Sequence, residues 1–230
     1  MALLKQGRPA EAVEPFERCL RARRDVGSET HLARAYRAIG RSDESMKLLQ
    51  RATERRPAFP PAFFELGKLL WFQHRLAEAE TVLKRGMEAA PGLPQFPHML
   101  GNVLLERGDM EGAKQAFAKA VAIAPDFTRA LQGLVNSLKN SGDFQAALER
   151  AREAYARDPS DTKSHLLVAT CLLELGKSEE ATEQLRSLVG ASPKLLGMAL
   201  RAFTEVGHGR LWLKPSAAAE FLGVKGSASA

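Results

Sequence analysis

The side chains able to do chemistry in this sequence form two sets, one thin and one rich. The thin set holds the acid–base and metal-binding groups: His31, His74, His98, His165 and His208, with two cysteines, Cys19 and Cys171. No P-loop, G-x-G-x-x-G, H-E-x-x-H, G-x-S-x-G or C-x-x-C motif draws such groups together. Both cysteines lie in helical patterns far apart in sequence, so they read as buried apolar thiols rather than a disulfide framework, which fits a reducing cytoplasm. His208, set between glycines, reads as a loop residue. The rich set is one of recognition groups: the aromatics Phe64, Trp71 and Phe72, the cations Arg34, Arg37, Lys68, Arg129, Lys139 and Lys163, and the amides Asn102 and Asn136. Aromatic faces, long cations and amides hold a ligand without transforming it. The expectation is a binding protein that uses no cofactor and no metal, and is not an enzyme.

Helices must place these groups. The chain has 230 residues, 45% of them hydrophobic, with few β-branched runs and many Ala, Leu, Glu and Arg, which favours helix throughout. Pro57, Pro91, Pro125, Pro159 and Pro193 recur every 34 residues. Twelve residues ahead of each stands a small residue, Ser45, Ala79, Ala113, Ala147 or Ala181. A third series is Gly40, Gly108, Gly142 and Gly176, with His74 in the remaining place. Each unit therefore reads as a helix, a tight turn and a second helix, closed by a proline that cannot continue it. Phe63, Leu66, Gly67 and Leu70 make the packing stripe of one first helix, and Ala113, Phe117 and Ala120 that of one second helix. Gly108 takes the left-handed turn and Asp109 caps the helix that follows, a device repeated at Gly142 and Asp143. His31, His98 and His165 are 67 residues apart, two units less one residue. Neighbouring hairpins stack about 10 Å apart, so these rings lie too far from one another to share a metal.

This pattern resembles the tetratricopeptide repeat, W-x2-L-G-x2-Y, then A-x3-F, then P. Residues 94–127 match it with Leu100, Gly101, Ala113, Phe117, Ala120 and Pro125, and residues 60–93 with Phe63, Leu66, Gly67, Leu70, Ala79 and Pro91. Residues 26–59 supply Leu32, Ala33, Tyr36, Ala52 and Pro57. In the units at 128–161 and 162–195, Val135 and Ala169 stand where Gly is usual and no aromatic replaces Phe117. The resemblance implies an all-α fold, an α-solenoid in which helix-turn-helix repeats stack into a right-handed superhelix. It implies a partial repeat at 1–25 and five full repeats over 26–195; residues 196–222 read as a half-repeat with a capping helix from Ser216, and residues 223–230, rich in Gly, Ser and Ala, as a disordered tail. It further implies a concave groove lined by the first helices, where Asn102 and Asn136 grip the backbone of an extended peptide. Placed on that groove by register are Arg34, Arg37, Phe64, Lys68, Trp71, Phe72, Asn102, Arg129, Asn136, Lys139 and Lys163. Thr30, Leu166, His98, Glu106 and Glu174 share the same face. The chaperone-tail clamp of this family needs a Lys one turn before its first Asn, and here His98 precedes Asn102.

Charge narrows the partner. The chain carries +6 overall, and residues 1–59 hold thirteen Lys/Arg against eight Asp/Glu. The groove positions are mostly cationic, so the expected partner is a protein or peptide of acidic character. Arg18, Arg21, Arg23, Arg24, Arg55 and Arg56 could face phosphates, but acids are interspersed throughout and nucleic acid is not the expected partner. No run is apolar enough to span a membrane. Two alternative readings stand beside the adaptor: self-association through an open N-terminal edge, and the repeat part of a larger multidomain protein.

Overall fold

The computed structural model describes residues 2–23 and 25–205. The half-repeat helix expected from Leu195 is present as far as Glu205, while the expected capping helix, His208 and the tail lie outside the described residues. The chain divides into two compact units, Met1–Ile123 and Ala124–Ala230. Among the described residues both are helical and contain no β-strand.

In the first unit a short α1 (Ala2–Lys5) leads into α2 (Pro9–Ala22). Three hairpins follow: α3 (Val26–Ala38) with α4 (Ser42–Glu54), α5 (Pro60–Phe72) with α6 (Leu76–Ala89), and α7 (Gln95–Glu106) with α8 (Met110–Ile123). Their turns share one construction. Gly40 and Gly108 adopt φ of +83° and +84°, and His74 reaches +57° in the same place. The amides of Arg41, Arg75 and Asp109 then donate back to the carbonyls of Tyr36, Leu70 and Leu104 at 2.8–2.9 Å, satisfying the exposed helix ends. The next position starts the second helix in one of two ways. Asp109 accepts from the Gly112 amide at 2.9 Å. Arg41 and Arg75 instead grip Glu44 and Glu78, three residues on.

Packing follows the repeat. Each first helix lies against its own second helix, and α3, α5 and α7 also touch in succession. The small residues of the register are where this contact is closest. A Cβ built on Gly101 would sit 2.7 Å from the Phe117 ring, and one on Gly67 would sit 2.7 Å from Leu83. Ser45, in the place of Ala79 and Ala113, is fully buried and donates its hydroxyl to the Ala33 carbonyl at 2.8 Å. Glu29 is fully buried as well, held by Arg51 at 3.0 Å and Arg55 at 2.6 Å. Arg55 is thereby committed inside the fold and is not free to face phosphate.

The second unit repeats the plan with α9 (Thr128–Asn140), α10 (Phe144–Arg157), α11 (Thr162–Glu174), α12 (Ser178–Ala191), a 3-10 turn at Pro193–Leu195 and α13 (Leu196–Glu205). Gly142 and Gly176 turn left-handed at +79° and +72°, and Asp143 caps α10 through the Ala146 amide at 3.2 Å. Here the register changes size without losing fit. Where the first unit sets Gly101 against Phe117, the same two positions carry Val135 and Ala151, both fully buried. At Ala169 and Leu185, again both fully buried, the small and large residues return to their usual sides. Volume is conserved across each pair, which is what a close-packed interior requires.

Candidate partner-binding face

In the first unit the recognition residues gather on the side formed by α3, α5 and α7. Arg34 and Arg37 on α3 converge on Glu65 of α5 at 3.2 and 3.7 Å. Glu65 is 8% exposed. In sequence it sits between Phe64 and Leu66 and gives no sign of burial; the signal is the pair of arginines on the preceding first helix. The two cations expected to meet a partner are therefore partly neutralised from within. Lys68, one turn beyond Glu65, is half-buried and forms no ion pair among the described residues. Burial, reinforced by Arg37, holds its ammonium below the usual lysine range. The Nε of Arg37 and Oε2 of Glu65 are buried without a hydrogen-bond partner.

The aromatic group follows along α5. Trp71 is half-buried, and its N–H donates to a carboxylate oxygen of Glu106 on α7, while His74 Nδ1 meets the other oxygen at 2.6 Å. The indole N–H is thus satisfied within the chain, leaving the ring face. Phe72 lies 5.3 Å from that ring, with the Arg37 guanidinium 5.5 Å above it, and is 57% exposed. Phe64, at the other end of α5, packs edge-on against Phe96 at 5.8 Å. It helps line an apolar notch of about 260 Å³ with Pro60, Pro61, Leu93, Gln95 and Phe96. Asn102 on α7 is half-exposed.

In the second unit, Asn136 and Lys139 of α9 and Lys163 of α11 line one cleft of about 280 Å³ with Gln132, Leu166, Leu167 and Thr170. Lys139 donates to the Thr170 hydroxyl at 3.1 Å, and Gln132 to Asp161 at 2.8 Å. Burial acts to raise the Asp161 carboxyl, but hydrogen bonds from Ser164, Lys163 and Gln132 outweigh it and keep it below the usual range. Arg129 is exposed and lies outside this cleft.

Two expectations need correction. Thr30 does not face solvent: it is 1% exposed, near the start of a helix packed against α2, and its hydroxyl donates to the Val26 carbonyl at 2.8 Å. Cys19 is not buried; it lies on the exposed side of α2. Cys171 is fully buried, and burial pushes its thiol up to about 11. A cleft of about 480 Å³ that the sequence did not announce opens among α4, α5 and α6, lined by Gln50, Glu54, Glu78, Thr81 and Arg85 among others. Among the described residues no group of His, Cys, Asp or Glu is placed to hold a metal, and no helix is long and apolar enough to cross a membrane.

Stacked helical hairpins whose first helices carry aromatic and charged side chains open to solvent define a protein-interaction repeat scaffold. The chain belongs to the tetratricopeptide-repeat family: models of that repeat match residues 1–26, 30–94, 98–127 and 138–202. No curated protein sequence matches it. Among solved structures it is similar to the C-terminal part of a TPR repeat-containing protein from Cytophaga hutchinsonii, with a TM-score of 0.76 and 16% identity over 96% of this chain and 91% of that one. YrrB, described as a TPR protein with an unusual peptide-binding site, aligns with a TM-score of 0.66 and 19% identity over 81% of this chain and 96% of its own. MamA from Desulfovibrio magneticus gives 0.60 and 21% over 70% and 91%. At these identities the likeness is one of fold.

Proposed function

We propose that this chain is an adaptor that holds a protein or peptide segment against the α3, α5 and α7 side of its first unit. The observation that carries the reading is Phe72: a large apolar ring, 57% exposed, buttressed by Trp71 and Arg37. Exposed aromatics in a rigid setting are the residues from which interfaces draw most of their binding energy. Arg37 lies over its ring and Arg34 and Lys68 share the same side, while the two acids there are already engaged, Glu65 by the arginines and Glu106 by Trp71 and His74, which favours an acidic partner. Cys19 and Cys171 are both free thiols, in keeping with action in the cytoplasm.

Affinity capture from the source organism tests this. Phe72→Ser is expected to lose the captured partner while keeping the wild-type melting temperature, and Lys119→Glu, an exposed change on α8, is expected to keep it. Equal capture by Phe72→Ser and the wild type would remove the α5 face from the interface.

A further inference from the structure

The partner-holding face has a spacing as well as a chemistry. Resting on the adaptor reading above, we propose that it selects an extended segment in which an apolar residue, an acidic residue and a second apolar residue occupy alternate positions. Phe64, Lys68 and Phe72 follow one another at intervals of four along α5, so they lie on one face about 6 Å apart. An extended chain presents every second side chain on the same side, about 6.6 Å apart. The two ladders match over three rungs. A helical ligand presents neighbours at i and i+4 as well, but meets this face only at the crossing of two convex rods.

Each rung differs in chemistry. The notch beside Phe64, walled by Pro60, Pro61, Leu93 and Phe96, is apolar and at about 260 Å³ accommodates one large aliphatic side chain. The middle rung is cationic: Lys68 lacks an ion-pair partner among the described residues, and Glu65, the carboxylate whose charge acts on it, already holds Arg34 and Arg37, while Glu106 is held by Trp71 and His74. Arg34, Arg37 and Lys68 against Glu65 leave room for a further carboxylate. Lys68 is held below the ordinary lysine range by burial and by Arg37, and a bound carboxylate would reverse that. The third rung is the exposed ring of Phe72. Nothing in this arrangement fixes the direction of the segment, so a palindromic probe suits it.

The probe is a fluorescein-labelled peptide with leucine, aspartate and leucine at alternate positions and serine elsewhere, followed by fluorescence anisotropy against the full chain. Replacing its aspartate by asparagine is expected to weaken binding about tenfold. Lys68→Met, which keeps the aliphatic stem, is expected to abolish that preference, and Phe64→Ser to weaken binding while preserving it. No binding, equal affinity for the aspartate and asparagine peptides, or equal affinity for a peptide with its leucines adjacent to the aspartate overturns the proposal. Capture of the cellular partner separates the two levels. A partner lost on Phe72→Ser, together with a silent probe, leaves the adaptor standing and removes this selectivity; loss of neither partner nor probe on that change removes both.

Discussion

Single residues show where the sequence could be read and where it could not. Lys68 and Phe72 could be set apart in the sequence because they fall outside a packing stripe already filled by Phe63, Leu66 and Leu70. Glu65 was not legible, since a lone acid in a helix reads as solvated until its partners on the preceding first helix are known. Trp71 lies outside that stripe too and is half-buried, but its N–H is taken by Glu106, a residue thirty-five positions away that no local pattern points to. His165 carries a consequence of the same kind. It is 6% exposed, stacks on Tyr155 at 4.5 Å and shares a hydrogen bond with Gln184 at 3.0 Å. Burial lowers its pKa from the ordinary 6.5, against the pull of Gln184. The unfolded chain then binds the proton more readily, so this contribution to stability is full above the unfolded value and is lost as pH falls below it. Thermal melts at about pH 7.5 and about pH 5.5 check this. The wild type is expected to lose more stability on acidification than His165→Phe, and an equal loss contradicts the assignment.

At the scale of the element, the repeat was legible because three independent series of residues keep one period. The turns at Gly40, Gly108, Gly142 and Gly176 are left-handed as their residue type allows, and His74 accepts the same turn while its ring meets Glu106. What the sequence showed only as departures, Val135 for Gly and Ala151 for an aromatic, fall at the two positions where Gly101 meets Phe117 one repeat earlier, and both are fully buried, so the register makes them two halves of one volume exchange between α9 and α10. That exchange is invisible until the two positions are known to face each other. It predicts a compensating pair. Ala151→Phe alone overpacks a site with no free space and is expected to cost about 1–3 kcal/mol. Val135→Gly alone opens a cavity in the helix pair, at a cost of about 1–3 kcal/mol including the helix propensity of glycine. The double variant rebuilds the Gly101 and Phe117 arrangement and is expected to recover more than half of the summed loss in urea unfolding. Strict additivity of the two losses would mean that these positions do not meet.

For the molecule as a whole, the sequence made the class plain and the partner obscure, for a physical reason. No hairpin here can bury its apolar side alone, so packing forces a periodic signature on every unit. Recognition imposes no period, and its residues differ from repeat to repeat: Phe72 in one unit, Asn136 and Lys139 in another. Two sides of the first unit are candidates to hold a segment, the α3, α5 and α7 side with its exposed Phe72, and the side where α4, α5 and α6 enclose a cleft beside Arg85. A photoreactive phenylalanine analogue placed at residue 72, and separately at residue 85, distinguishes them in a single crosslinking experiment on the captured partner. Holding on the α3, α5 and α7 side requires a covalent adduct from position 72, suppressed by excess unlabelled chain, and none above background from position 85. An adduct from position 85 with none from position 72 would place the partner at the α4, α5 and α6 cleft and contradict that reading.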